Sequence, residues 1–127
     1  MQFIHTTLNS FLDENNDLKD YILNVLKECG MPNGCSLNSY IVQNESTILI
    51  YSEFDKRPNT YAVDAIYTKD KMRNRGSAKK LLSSLPSFGS LYFDTYSDVL
   101  IYLLKSIGGY EEDVFKNKPS KQFILDT

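Results

Sequence analysis

The sequence has no tryptophan, one histidine and only two cysteines. His5 is the sole imidazole, and Cys29 and Cys35 have no further metal-ligating residues at a typical spacing. A zinc site built from histidine and cysteine is therefore not expected. Free thiols are the expectation for a cytosolic protein, with a disulfide between the two cysteines as the alternative.

No apolar stretch approaches the roughly 20 residues that a membrane-spanning helix needs. The N-terminus lacks a basic region leading into an apolar one, so no secretion signal is expected. With 14 basic and 16 acidic residues and a net charge of −2, the chain gives little reason to expect general nucleic-acid binding. These absences predict a cytoplasmic protein with no membrane partner.

What the sequence does contain is typical of a folded globular chain. Of its 127 residues, 42% are hydrophobic and 24% are charged, and this length suffices for one core but not for two. No internal repeat, linker or low-complexity segment divides it. A single domain over residues 1–127 is the expected organisation.

The apolar pattern of the first half predicts a helix followed by an antiparallel meander. Part of residues 1–12 fits a short first strand. After Asp17, apolar residues recur three and four positions apart, which predicts one buried helix face, and Gly30 ends that helix. Short turns then separate three apolar strands, at residues 37–43, 47–54 and 60–68.

The next segment predicts a strand–helix–strand unit. Residues 77–85 carry one apolar face and stop at Pro86. Residues 90–95 follow as a short apolar strand. Because a helix connects the two strands, we expect residues 90–95 to pair in parallel with residues 60–68.

A last helix and two closing strands complete the prediction. Ser97 or Asp98 caps the helix, and residues 99–104 are apolar on every side, so we expect this helix to be well buried. The closing strands are expected at residues 114–116 and 122–126.

A basic loop that contains a glycine lies between the strand 60–68 and the helix after it. Its sequence is Arg73-Asn74-Arg75-Gly76-Ser77-Ala78. Six of the 14 basic residues of the chain fall within twelve positions: Lys69, Lys71, Arg73, Arg75, Lys79 and Lys80. A glycine turn that opens a helix presents unpaired N–H groups and a positive dipole end, which makes it a candidate phosphate site. The alternative is an ordinary helix start with a solvated basic face.

This loop is neither a P-loop nor a dinucleotide fingerprint, because it has a single glycine and no Gly-Lys-Ser/Thr. Its spacing Arg73-x-x-Gly76-x-Ala78 resembles the Gln/Arg-x-x-Gly-x-Gly/Ala loop of the GNAT superfamily of acyl-CoA N-acyltransferases. The predicted element order from residue 37 onward is also similar to that family. The resemblance implies an α/β (α+β) fold, in which an antiparallel meander precedes a parallel strand–helix–strand unit in one mixed sheet, with helices on both faces.

The resemblance also implies an activity. It is that of an N-acetyltransferase, which moves an acetyl group from acetyl-CoA to a primary amine of a small molecule or protein by direct attack, without a metal. The loop would bind the pyrophosphate, the strand before it the pantetheine arm, and Lys79 or Lys80 the 3′-phosphate. The residues implied in cofactor binding are Ile66, Tyr67, Thr68, Arg73, Asn74, Arg75, Gly76, Ser77, Ala78 and Lys79.

The general base is open among three side chains. Asp64, on the third meander strand, and Glu53, near the end of the second, could each accept a proton directly or through water. For both, a solvent-facing strand carboxylate is the favoured alternative. His5, near a terminus, is a weaker candidate.

The acid that protonates the departing thiolate is less clear. The family often has a tyrosine in its last helix, and Lys105 stands at that place here. Tyr102, about one turn earlier, is a candidate if the register of the helix differs, and otherwise a core tyrosine. Asp98 matches the family's frequent asparagine at the start of this helix.

Two other functions stay open at this point. The departures in the last helix also fit a catalytically inactive GNAT-fold binding or structural protein, encoded by a phage or a mobile element. A nucleic-acid partner using the basic loop is disfavoured by the net negative charge. Members of the family often dimerise through their terminal strands, so a homodimer is a further alternative.

Overall fold

The computed structural model describes residues 2–7, 10, 13, 19–28, 39–69 and 76–127. Ten elements follow one another in these ranges. They are β1 (Gln2–Thr7), α1 (Lys19–Glu28), β2 (Tyr40–Gln43), β3 (Thr47–Glu53), β4 (Thr60–Thr68), α2 (Ser77–Ser83), β5 (Ser90–Thr95), α3 (Asp98–Ser106), β6 (Tyr110–Glu111) and β7 (Lys121–Asp126). None of the described helices is long and apolar enough to cross a lipid bilayer.

All the strands belong to one mixed sheet. Its order is β1-β2-β3-β4-β5-β7-β6. The pairs β1–β2, β2–β3 and β3–β4 are antiparallel, β4–β5 is parallel, and β7 pairs antiparallel with both β5 and β6. The predicted meander and the predicted parallel strand–helix–strand unit are both confirmed.

Helices cover both faces of this sheet, as predicted. Successive strand residues point to opposite faces. On one side, Leu49 of β3 belongs to a buried cluster with Leu81 of α2 and Leu104 of α3; we call this side the Leu49 face. We call the other side the Ile50 face, and α1 packs against it. The Tyr21 ring of α1 lies 6.4 Å from the ring of Tyr67, which is the cross-strand neighbour of Ile48.

The last helix is less buried than expected. Of α3, only Leu104 is fully buried, whereas Val99 and Tyr102 are 74% and 77% exposed. The sheet covers one side of this helix, and the apolar composition of residues 99–104 did not reveal that the other side faces solvent. The expectation of a well-buried helix was therefore wrong.

The closing strand expected at residues 114–116 was also wrong. The strand is β6, at Tyr110–Glu111, and it begins directly after Gly109, whose N–H donates to the Leu104 carbonyl at 2.7 Å. Residues 114–116 lie in bends and a turn instead. The N–H of Phe115 donates to the Gln122 side chain at 2.8 Å, so this backbone group is satisfied without a strand partner.

Two irregularities in β4 create the space for a site. Ile50 pairs with Ala65 and Tyr51 with Val63, so Asp64 is an extra residue in a β-bulge. The parallel pairing of β4 with β5 covers Thr60–Ala62 against Ser90–Tyr92. Beyond these pairs the two strands diverge toward their C-terminal ends.

Candidate functional site

A cleft of about 580 Å³ opens where β4 and β5 diverge. One wall is residues 63–68 of β4, and the opposite wall is residues 93–95 of β5. Residues 76–79, at the start of α2, and the first turns of α3 complete the lining. The cleft is therefore closed at the paired ends of the strands and bordered by the N-terminus of α2 at the other end.

Gly76 shapes the α2 end of the cleft. Its φ of 75° lies in the left-handed region, where residues with a side chain are strained. A Cβ built there would have no atom within 4 Å, so the requirement for glycine is conformational rather than steric. The carbonyl of Gly76 accepts the N–H of Lys80 at 2.9 Å and so closes the first helical turn.

A network of side-chain hydrogen bonds anchors this helix start to the sheet. The Ser77 hydroxyl lies 2.8 Å from the Thr47 hydroxyl and donates to Asn44 Oδ1 at 3.2 Å. Thr47 in turn lies 2.7 Å from the Thr68 hydroxyl at the end of β4. Because the Ser77 side chain is engaged in this network, its backbone N–H is what it can offer to a ligand.

The structure brings together most of the residues predicted to bind the cofactor. Those that line the cleft come from the end of β4 and the start of α2: Ile66, Tyr67, Thr68, Gly76, Ser77, Ala78 and Lys79. Lys80 is exposed. The predicted Arg73, Asn74 and Arg75 lie outside the described residues.

Asp64 is the predicted base that the structure places in the cleft wall. The bulge directs it toward Ser39, whose hydroxyl donates to the carboxylate at 3.4 Å, and Ser52 also hydrogen-bonds to it. Burial raises the pKa of Asp64 above its ordinary value, although these two hydroxyls act in the opposite direction. A carboxylate with a raised pKa is better suited to accept a proton near neutral pH.

The other predicted catalytic residues lie elsewhere. Glu53 lines a second cavity, of about 610 Å³, at the opposite end of β4 beside Thr60. Tyr102 lies on the solvent side of α3 and is not among the residues that line the cleft. His5 is in β1, which is separated from β4 by β2 and β3, and its side chain lies outside the described residues.

Several residues of the cleft were not predicted. They lie at the end of β5 and the start of α3: Phe93, Asp94, Thr95, Ser97, Leu100 and Leu103. The predicted parallel pairing of residues 60–68 with 90–95 could have indicated that β5 forms one wall of the cleft, because it sets these strands side by side. The point at which they separate was not readable from their composition.

No family model matches this sequence, and a search of curated proteins by sequence gave no match. Solved structures do resemble the fold. An acetyltransferase assigned to the GNAT family, from Bacteroides thetaiotaomicron, has a TM-score of 0.64 at 16% identity, over 99% of this chain and 88% of that one.

Two further bacterial acetyltransferases share the fold over most of their length. One, from Bacillus subtilis and in complex with CoA, has a TM-score of 0.54 at 17% identity, over 88% of this chain and 92% of that one. The other is the ribosomal-protein-S18-alanine N-acetyltransferase of Escherichia coli. It has a TM-score of 0.55 at 13% identity, over 98% of this chain and 90% of that one. At such identities the likeness is one of fold.

Proposed function

We propose that this chain, whose fold is that of the GNAT acyltransferases, transfers an acetyl group from acetyl-CoA to a primary amine of a small molecule or protein. The observation that carries the proposal is the cleft between the diverging strands β4 and β5, with the N-terminus of α2 at its open end. A fold does not determine a function. The support therefore comes from the fit of this site to a long ligand with phosphates at one end.

In this proposal the pyrophosphate binds at the start of α2. The backbone N–H groups of the first turn, from Ser77 on, lack intrahelical partners and carry the positive end of the helix dipole. Lys79 adds a positive charge, and we assign Arg73 and Arg75 to the same role from the sequence.

The pantetheine arm then runs along β4 toward the paired end of the strands. From Thr68 to Val63 the strand extends over roughly 17 Å, at about 3.3 Å per residue. An extended pantetheine arm has a similar reach. This alignment brings the thioester to the bulge at Asp64.

The reaction needs little more than positioning and removal of a proton. The amine nitrogen attacks the thioester carbonyl, Asp64 accepts the proton from the amine, and the carbon–sulfur bond breaks to release CoA thiolate. In this proposal a backbone N–H of the bulge segment 63–65 polarises the carbonyl. Since the ordinary pKa of a thiol is about 8.5, the thiolate can leave without a strong acid, and the exposed Tyr102 is not required.

Turnover with a panel of amines tests this function. We expect CoA thiol to be released from acetyl-CoA only when an acceptor is present. The panel should include polyamines, lysine peptides and peptides with a free N-terminus, because one structural neighbour is named as an alanine N-acetyltransferase of a ribosomal protein. Release at the uncatalysed rate for every amine, with acetyl-CoA bound, would contradict the proposal.

That contrary result would favour a second function, the binding of acyl-CoA without transfer. The observation in its favour is the position of the last helix. Tyr102 and Lys105 are both exposed, so the part of α3 that the structure describes brings neither of them to the cleft. Tight acetyl-CoA binding without turnover would identify this case.

A further inference from the structure

A lysine of the chain itself is paired with a residue of the cleft wall. Asp94, on β5, lines the cleft and forms an ion pair with Lys118, which lies between β6 and β7. The side chains are 26% and 38% exposed, respectively. The Lys118 ammonium also lies 5.2 Å from the centre of the Phe115 ring. An acidic and an aromatic side chain therefore hold this amine in place.

Asp94 and Asp64 stand on opposite walls of the cleft and on the same face of the sheet. Ala62 pairs with Tyr92, and each aspartate lies two residues beyond its member of this pair. Because Phe93 packs in the cluster on the Leu49 face, Asp94 points to the Ile50 face. Asp64 shares that face, since it bonds to Ser52, the cross-strand neighbour of Ala62.

In the proposed reaction the acceptor enters on this face. The helices α2 and α3 cover the Leu49 face, and the start of α2 is the proposed position of the phosphates. On the Ile50 face α1 contacts β4 at Tyr67, beyond the bulge, so we place the approaching amine on that face between Asp64 and Asp94. The ammonium of Lys118 is already paired with one of these two carboxylates, that of Asp94.

We propose, on the basis of the proposed function, that the ε-amino group of Lys118 is an acetyl acceptor within the same chain. Its ammonium gives up a proton to Asp64, and the freed nitrogen lone pair forms a bond to the thioester carbon. The carbon–sulfur bond breaks, and CoA leaves as a thiolate that takes the second proton of the nitrogen, directly or through water. The products are ε-N-acetyl-Lys118 and CoA.

Acetylation would change the cleft as well as the lysine. An acetylated lysine has no positive charge and cannot form an ion pair. Asp94 is then available to a cationic acceptor from outside. The modified chain should bind such an acceptor more tightly than a chain in which Arg replaces Lys118.

Peptide mapping by mass spectrometry, after incubation of the whole chain with acetyl-CoA, tests this inference. Lys118→Arg keeps the charge and the ion pair with Asp94 but removes the acceptor, so the variant should stay folded and unmodified at this position. Lys121→Arg is the matched control, because Lys121 lies in the same part of the chain but pairs at 3.6 Å with Glu111, which does not line the cleft. We expect at least about tenfold more acetyl on Lys118 than on Lys121, since an oriented amine reacts at a high effective concentration.

Two variants of the cofactor site separate this inference from the proposed function. Gly76→Glu, which is aimed at acetyl-CoA binding, should abolish the modification of Lys118, and Gly108→Glu, a glycine of similar φ outside the cleft, should not. Binding of acetyl-CoA with Lys118 unmodified, or modified no faster than Lys121, would overturn the inference and leave the proposed function standing. An absence of acetyl-CoA binding would overturn both.

Discussion

Asp64 is the residue on which the proposed chemistry depends most. It is the extra residue of a β-bulge, it lines the cleft, and two serine hydroxyls hold its carboxylate. Bulges are frequent next to active sites because they redirect one side chain without ending the strand. Because this charge is half-buried, we expect it to lower the free energy of unfolding of the protein.

Replacing Asp64 with asparagine should lower activity and raise stability. Loss of the base is expected to reduce kcat by about 10²- to 10⁴-fold. Burial raises the pKa of Asp64 in the folded chain, so the folded state holds this proton more tightly than the unfolded state does. Its contribution to stability therefore falls as pH rises through the window between the ordinary and the raised pKa.

The variant has no such group and should be more stable than the parent at neutral pH. Turnover assays and urea unfolding at neutral and acidic pH measure the two effects. Parental turnover in Asp64→Asn would exclude this residue as the base.

The two serines should set the pH at which Asp64 works. Their hydroxyls stabilise the charged carboxylate and so lower its pKa. Ser52→Ala should raise the pKa further and move the acid limb of the kcat/KM profile to higher pH. Ser84→Ala is the control, because that hydroxyl bonds to the Lys80 carbonyl at the end of α2. An unmoved acid limb in Ser52→Ala would mean that another group controls it.

From the sequence, Asp64 and Glu53 were equal candidates, because both are carboxylates on predicted strands. What separates them is the bulge and the place where β4 leaves β5. These depend on the register between distant strands, and a local pattern of side chains does not encode it. The same limit applies to Tyr102, whose exposure depends on how α3 rests on the sheet.

At the scale of elements, the connection between β4 and α2 is held by side chains rather than by the loop alone. Thr47 is 2% exposed and joins the end of β4 to the start of α2 through Thr68 and Ser77. Since the start of α2 is the proposed phosphate site, this network should contribute to both stability and cofactor affinity.

Thr47→Val keeps the shape of the side chain and removes its hydroxyl. The partners left unsatisfied should lower the free energy of unfolding by about 1 to 3 kcal/mol. We also expect weaker binding of acetyl-CoA, because Ser77 loses an anchor. Urea unfolding and calorimetry measure the two effects.

Thr60→Val is the matched control for this prediction. Thr60 is also a buried threonine with two side-chain hydrogen bonds, one from Arg57 and one to the Pro58 carbonyl, but it lies at the other end of β4. It should lose stability without losing affinity. An equal loss of affinity in both variants would show that the Thr47 network has no specific role at the site.

In the last helix, α3, we predict that one substitution leaves the activity unchanged. Tyr102 is exposed, so Tyr102→Phe should leave kcat and KM unchanged. A fall in kcat of about 10²-fold would instead place its hydroxyl at the departing thiolate. Steady-state kinetics with the best acceptor of the panel distinguishes the two.

Most elements could be predicted from the sequence, and the failures have a common cause. The strands 60–68 and 90–95 were predicted at their observed limits, because turn residues bound their apolar runs. The strand at 114–116 was wrong because a short apolar segment cannot be distinguished from a loop whose polar groups are satisfied by a side chain, here Gln122. The burial of α3 was wrong because composition does not show which side of a helix is covered.

At the scale of the whole molecule, the sheet order explains why the site lies where it does. Strand β5 is inserted between β4 and β7, so the parallel pair β4–β5 lies near the middle of the sheet. Two strands that diverge there create a cleft with walls from both halves of the sheet. The order of the elements predicted the parallel pair β4–β5, whereas the volume and the side chains of the cleft came only from the structure.

Charge at this scale is consistent with a small anionic ligand. The net charge of the chain is −2, whereas the segment 69–80 carries six of its 14 basic residues. A local positive region on a weakly negative protein attracts a compact phosphate better than a long polyanion.

Calorimetric titration of acetyl-CoA into the parent chain, Gly76→Glu and Gly108→Glu tests the cofactor site most directly. Both glycines have positive φ and open space where a Cβ would stand, so the two variants carry a similar backbone strain and the same added charge. The account predicts that the parent and Gly108→Glu bind acetyl-CoA, and that Gly76→Glu binds it more than about tenfold more weakly, because the carboxylate repels the phosphates. Equal binding by all three chains, or no binding by the parent, would contradict it.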